Sequence, residues 1–370
     1  MTPQTALTSP TPLTSPTARG GEPPPDIPMT QFPSPQFPSP GLPLAGHTVR
    51  FPWPFPDDLE SFRYSVNVEP ARVPRRTAAG EWGAHIVDLG GEEYGAIMAD
   101  RRRILDLDPH RVRILPGMMP ACWDLLVYYL RDLSIAYPHV MELAEDGDRF
   151  HWRNHALGTD QRFVLGDAAS LDCDPMTFLG REIPDDLLLV KERDGQLCFD
   201  AGLVTFAAAW SVSFDVGMTM EEIHNPVPRL TREGITSRAE QFLRRLPADQ
   251  VYRRVNWTLS ASGSRTLDVS LEELPAWGTH IPALVRDEDW GRLQLRIEVE
   301  HFVRLPMTGA VTFNIRTHMT SLEEIRRVPA WRDQLARVVL ELPEDLATYK
   351  GFADYREPAM AWLTAADGAA

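Results

Sequence analysis

Lysine is nearly missing from this chain: of 37 Lys and Arg residues, only Lys191 and Lys350 are lysines. A general preference for arginine accounts for most of that bias. The alternative is that the two lysines stand where a guanidinium does not fit. Cysteine is scarce too. Cys122, Cys173 and Cys198 lie far apart, which excludes a four-cysteine iron–sulfur centre or zinc ribbon built by this chain alone. Unpaired, scattered cysteines suit the reducing cytoplasm. Long apolar runs are absent; stretches such as FAAAW fall far short of the roughly 20 residues a membrane helix needs. The sequence opens with no basic cluster followed by an apolar stretch, so no secretory signal is expected. Neither G-x-G-x-x-G nor G-x-x-x-x-G-K-[ST] occurs, which leaves dinucleotide and P-loop binding without local support. The G-x-S-x-G elbow of a hydrolase is missing as well. Net charge is −15, and phosphate backbones call for a basic face, so nucleic acid is not an expected partner.

What is present falls into two parts. Residues 1–45 are rich in Pro, Ser and Thr and contain QFPSP twice. Such a segment cannot bury enough apolar surface to offset its chain entropy and reads as a disordered tail. Residues 46–370 read as one folded domain; the 43% hydrophobic content and 10 Trp suffice for a sizeable core. MPACWDLLVYYLRDLSIA (119–136) carries apolar side chains at helical spacing. Two further helices are expected from capping boxes, Ser237 with Glu240 and Thr320 with Glu323. DLLLVKER and QLCFDAGLVTFAAAW flank Asp194-Gly195, a hairpin signal. VYRRVNWTLSAS reads as a strand, and 293–316 as two long strands joined around Met307–Gly309. Hairpins interrupted by helices predict an α+β fold with an antiparallel sheet.

Period two sorts the first long strand into an apolar face (Leu293, Leu295, Ile297, Val299, Val303, Leu305) and a face bearing Arg296, Glu298, Glu300, Phe302 and Arg304. The second strand alternates Val311, Phe313 and Ile315 with Thr312, Asn314 and Arg316. The charged face is either a solvated ladder of ion pairs or a covered face lining a polar pocket. In the second case Arg304 and Arg316 would clamp acid groups. HWRNH sets His151 and His155 four apart, but without the glutamate of a metalloprotease helix and between glycines, so a metal site there is not expected. EEIHNPVPRL is the remaining oddity. Prolines at 226 and 228 push Asn225 and Val227 toward extended backbone and stop any helix at His224. Taken alone, His224 ends a helix and is satisfied by solvent or a carbonyl.

Read in order, LLLVKE, IHNPVP, FLRRLP, RVNW, RIEVEHFVRLP, FNIRTH and YKG resemble the heme-dependent oxidative N-demethylase α-subunit family over roughly residues 50–352. The resemblance implies a PAS-like, heme-binding α+β fold. It also implies O2-dependent removal of a methyl group from an amine, with electrons relayed by separate flavin and iron–sulfur proteins. Carried onto this chain, it implies heme b held by His224 as axial ligand, with Arg254, Asn256 and Trp257 beside the cofactor and Arg304 as a further contact. Arg296, Glu298 and Glu300 would face the amine, with Glu298, Glu300 and Arg316 as catalytic groups. Where the family strand reads R-x-E-R-Q-x-L-x-R-L-P, this chain has Val299, Glu300 and Phe302 at the Arg, Gln and Leu positions. Glu192-Arg193 replaces an acidic pair, and Asp215 stands where a lysine is common. A heme sensor or interaction module of the same fold, without turnover, is the rival reading.

Overall fold

The computed structural model describes residues 50–365 except 60, 249, 261–266, 275–277 and 279. The expected Pro-rich tail, 1–45, lies outside the described residues. Three short strands come first: β1 (Glu69–Pro70), β2 (Arg75–Arg76) and β3 (Glu81–Trp82). Helix α1 (Tyr94–Leu107), β4 (Val112–Ile114) and α2 (Met119–Ala136) follow, then a meander of β5 (Met141–Asp146), β6 (Arg149–Asn154) and β7 (Thr159–Val164). After α3 (Pro175–Gly180) come β8 (Asp186–Arg193) and β9 (Gln196–Leu203). Three helices then intervene: α4 (Val212–Asp215), α5 (Met220–His224) and α6 (Ile235–Arg245). The chain continues as β10 (Val251–Ser260), α7 (His280–Asp287), β11 (Gln294–Arg304) and β12 (Val311–Ser321). It closes with α8 (Leu322–Arg326), α9 (Pro329–Glu341), α10 (Glu344–Tyr349) and α11 (Arg356–Thr364).

Seven strands form one antiparallel sheet in the order β1-β10-β11-β12-β8-β9-β4. The α+β class with an antiparallel sheet is therefore what the sequence predicts. Register sorts the side chains of this sheet into two faces. Arg254↔Glu300, Asn256↔Glu298 and Thr258↔Arg296 lie on one face, Val255↔Val299 and Trp257↔Ile297 on the other.

Each face has its own cover. Leu187, Leu189, Leu295 and Ile297 are buried against α2 on one side of the molecule and against α8, α9 and α11 on the other. Leu188, Val190, Phe199, Phe302 and Ile315 pack beneath the segment that holds α4, α5 and α6. Trp53 stacks flat on Trp331, with centroids 4.6 Å apart, and its indole N–H donates to Gln334 (2.7 Å). The N-terminal arm is thereby tied to α9.

Three local expectations shift. The Ser237 box does not start a helix: α6 begins at Ile235, after Gly234 in the left-handed region (φ 65°). The chain already turns there, because the Ile235 N–H donates to the Leu230 carbonyl. The Thr320 box moves by one residue. Thr320 is still paired with Leu295 in the sheet, so Ser321 becomes the cap, its hydroxyl accepting from the Glu324 N–H. TSLEE offers both registers, and strand pairing selects one. Finally, β9 ends at Leu203 rather than at Trp210. The buried Asp186 carboxylate takes the Thr205 and Phe206 N–H groups (2.8 and 3.0 Å), which turns the backbone off the sheet. Arg101, wholly buried, balances that charge at 2.7 Å.

Candidate heme and substrate cavity

A cavity of about 890 Å³ lies between the charged face of β10–β11–β12 and the cover formed by α4–α6. Its walls are mostly apolar, with Leu188, Phe199, Val216, Ile223, Val227, Phe313 and Ile315 among them. His224, Arg254, Asn256, Glu298, Glu300, Asp215 and Lys350 supply the polar part.

His224 is the last residue of α5; Pro226 has no N–H to carry the helical ladder further. The helix is only five residues long and is held by a reciprocal cap: Thr219 accepts from the Glu222 N–H, and Glu222 accepts from the Thr219 N–H. The His224 Nδ1 is 2.7 Å from the Met220 carbonyl. That contact fixes Nδ1 as the protonated nitrogen and leaves Nε2 with its lone pair. Burial holds the imidazole below its ordinary pKa, so the neutral, ligating form is favoured.

The segment after His224 is anchored, though not as expected. Asn225 takes helical angles (φ −56°, ψ −35°) rather than extended ones. The Val227 N–H returns to the His224 carbonyl at 3.0 Å, and this tight turn overrides the bias of a residue before proline. Tyr64 donates to the Pro228 carbonyl (2.8 Å), and Arg229 pairs with Asp345 (2.6 Å).

Opposite this cover, the strands present two carboxylates of different standing. Glu298 is engaged on both oxygens, by Asn256 Nδ2 (3.1 Å) and Arg296 Nε (3.2 Å). Glu300 is only 4% exposed. Its Oε2 lies 3.1 Å from Arg254 Nε, near enough for an ion pair but not aligned for a hydrogen bond. Burial pushes its pKa up to about 7, against the pull of Arg254 and with the push of Glu298. The charged face is thus a covered pocket wall, not a solvated ladder.

Lys350 completes the wall from outside the sheet. Its Nζ donates to the Trp257 carbonyl (2.6 Å) and sits 5.1 Å from that indole ring. Burial lowers its pKa to about 8. The lysine bias in the sequence hinted at this residue, whereas Lys191 is exposed. Asp215 also lines the cavity, its pKa raised to about 6 by burial.

The remaining expected residues are placed elsewhere or do other work. Arg296 is fully buried and spends its guanidinium on Glu298, the Leu267 and Phe206 carbonyls and Thr317. Trp257 belongs by register to the other face, packed against Phe55 and Phe352, and also lines the cavity. Arg304 and Arg316, expected on one face, lie on opposite faces: Arg304 pairs with Val311 and Arg316 with Val299. Arg304 donates to the Leu243, Arg244, Leu246 and Gly309 carbonyls and is not among the cavity residues. Arg316 donates to the Asp88 and Thr317 carbonyls, across the sheet from Glu300. Single-strand alternation could not place them, because a loop of six residues between β11 and β12 sets the parity of one strand against the other. His151 and His155 point to separate partners, Asp160 and Glu142. Among the described residues no group of three or more His, Cys, Asp or Glu could hold a metal ion, and no helix is long and apolar enough to cross a membrane.

A family model described as haem-dependent oxidative N-demethylase, alpha subunit-like, covers residues 83–360.

Proposed function

Because the chain belongs to the haem-dependent oxidative N-demethylase, alpha subunit-like family, we propose that it binds heme b beside His224 and oxidises an amine at the carbon next to nitrogen. The observation that carries this reading is the half-buried imidazole of His224, pinned through Nδ1 and lining a cavity of about 890 Å³. The residues present fit the group. One neutral nitrogen is left over for iron, the walls are apolar, and Arg254 and Lys350 supply positive charge for acid groups. An antiparallel sheet with helices laid over one face and a cavity between them supports the PAS-like reading. The scattered free cysteines support a cytoplasmic location.

Heme bound there supplies activation of O2 and withdrawal of electrons from the amine. The chain's own residues do the rest. Glu300 Oε2 accepts no hydrogen bond, whereas both Glu298 oxygens already accept one, so Glu300 receives the ammonium group of the substrate and holds its proton at a carboxylate oxygen. Arg254 keeps that carboxylate in place, and Asn256 and Arg296 hold Glu298 beside it. The apolar cover under α4–α6 excludes water from the carbon being oxidised. Demethylation by O2 consumes two electrons beyond those of the amine. With no dinucleotide motif in the sequence, we assign their supply to separate flavin and iron–sulfur proteins.

The absorption spectrum tests this directly. Wild-type protein should show a Soret band that shifts with dithionite and again with CO. His224→Ala should lose heme or change its ligation. A wild-type chain that takes up no heme ends the reading, and a variant with unchanged heme content and ferric spectrum moves the iron ligand elsewhere.

A further inference from the structure

One carboxylate of the His224 cavity has no task in the amine oxidation proposed above. Asp215 is the last residue of α4, and the backbone fixes it from both sides. Its N–H donates to the Ser211 carbonyl (3.1 Å), and its own carbonyl accepts from the Met218 N–H (3.1 Å). Gly217 then turns the chain at φ 103°, an angle that glycine takes without strain. The Gly217 N–H thereby reaches the Phe199 carbonyl at 2.7 Å, and the Phe199 N–H returns to the Met218 carbonyl at 3.0 Å. The turn that carries Asp215 is pinned to β9.

Within this frame the Asp215 side chain is half-buried and lines the cavity. Among the described residues its carboxylate has no ion pair and no hydrogen bond, and burial is the sole cause of its raised pKa. No cation of the fold answers it. Glu298, by contrast, is matched by Asn256 and Arg296. Glu300 lies beside Arg254, with Oε2 accepting no hydrogen bond. Two carboxylates in one cavity, one on the sheet and one on its cover, thus have room for a donor. A second cavity, of about 1040 Å³, lies across the sheet and takes Val299 and His301 into its wall. Its charges are already answered: Arg76 is paired with Glu81 at 3.6 Å, and Asp88 lies in the field of His318 and Arg316. The ring nitrogens of His301 and the indole N–H of Trp82 are unpaired there but sealed off.

An ionised carboxylate only accepts hydrogen bonds, and an unanswered one against apolar walls is disfavoured until a cation joins it. The ligand group at Asp215 therefore carries N–H donors and positive charge. Between Asp215 and Glu300 the cavity floor is apolar. It runs from Phe199 on β9 over Leu188 on β8 to Phe313 and Ile315 on β12, and Ile315 is the cross-strand partner of Glu300. The Phe199 and Phe313 rings stand 6.3 Å apart. From β9 to β11 the sheet spans three strand spacings, about 14 Å, which leaves room for a chain of several methylenes. Hydrocarbon suits the floor, and an ammonium group suits each end.

We propose that the substrate is a diamine, with one ammonium group at Glu300 and the second at Asp215. Its methylene chain lies over Phe199, Phe313 and Ile315. This rests on the reading of Glu300 as the site of the reacting nitrogen and adds the substrate class to it. Asp215 holds the substrate away from the carbon being oxidised, so it sets which amine is taken.

Calorimetric titration of the full chain with α,ω-diamines of four to eight carbons, each set against the n-alkylamine of equal length, tests the proposal. A diamine of matching span should bind roughly ten- to a hundredfold more tightly than its monoamine. Asp215→Asn keeps the shape and removes an unanswered charge, so it should fold. It should abolish the diamine's advantage and leave the monoamine's affinity within about twofold. Glu300→Gln should weaken both amines alike. Equal affinity of diamine and monoamine at every length overturns the proposal and leaves the Glu300 reading standing. So does an advantage that survives Asp215→Asn. A monoamine weakened by Asp215→Asn as much as the diamine would put the only ammonium site at Asp215 and also overturn it. Binding of no amine, or affinities that Glu300→Gln leaves unchanged, overturns both the proposal and the Glu300 reading.

Discussion

Glu300 concentrates the chemistry of the proposed amine site in one side chain. Its pKa is raised from 4.5 to about 7 because burial penalises the anion more than Arg254 stabilises it. A folded-state pKa above the unfolded value means that Glu300 favours the fold fully below about pH 4.5. That contribution is lost as pH rises through about 7. Replacing it with glutamine removes the dependence. The melting temperature of Glu300→Gln should therefore gain on wild type between pH 5 and pH 8, by the equivalent of about 1–3 kcal/mol. Binding of protonated amines should fall by the loss of one charge-assisted contact, about 1.5–3 kcal/mol, read as smaller spectral changes in an amine titration. Equal amine binding in the variant would return this face to a purely structural role. The sequence placed Glu298 and Glu300 together correctly by alternation, but nothing in it said that both Glu298 oxygens would accept hydrogen bonds and Glu300 Oε2 none. That difference comes from Asn256 and Arg296 across and along the strands.

Arg304 acts at the scale of the element. Its guanidinium makes four hydrogen bonds to carbonyls at the end of α6 and in the turn between β11 and β12, and a guanidinium there also meets the negative end of the helix. Arg304→Ala should cost about 2–4 kcal/mol in denaturant unfolding while the folded protein keeps its heme. Arg304→Lys keeps the charge but loses the fork, so it should recover only part of that loss. Heme loss without destabilisation would instead favour a direct contact with the cofactor. Elements were legible from sequence wherever a local signal was unopposed. Residues 119–136 carry an apolar stripe and form the helix with those bounds, and Asp194-Gly195 forms the hairpin, with Asp194 at φ 53°. They were misread where tertiary contacts competed: Thr320 was kept by the sheet, and β9 was ended by the buried Asp186–Arg101 pair.

On the scale of the whole molecule, the sheet divides two cavities, and the cover of the first is tied down from far along the chain. Tyr64 reaches Pro228, and Asp345 reaches Arg229. This binding of distant segments sets a limit on truncation. A chain beginning at His47 keeps Trp53, Tyr64 and Trp82 and should retain both the melting temperature and the Soret-to-protein ratio of the full chain. A fall of many degrees would mean that the Pro-rich segment packs on the domain.

The sequence by itself determined the class of fold, the long hairpin, the end of a helix at His224 and the family resemblance. Each rests on information held within a few residues: alternation, turn chemistry, a proline's missing N–H, a string of short motifs. Only the tertiary structure decided which side of the sheet each charged residue faces. A strand's parity is fixed within itself, but parity between strands depends on loop length and register. For that reason Arg254 and Glu300 meet over one cavity, Arg316 stands behind them, and Lys350, fifty residues further on, closes the wall. Burial decided the chemistry in the same way. It sets Glu300 near neutrality, keeps His224 neutral and leaves His301 and Trp82 with unpaired nitrogens, because the cost of charge or of a lone donor depends on what surrounds it in space.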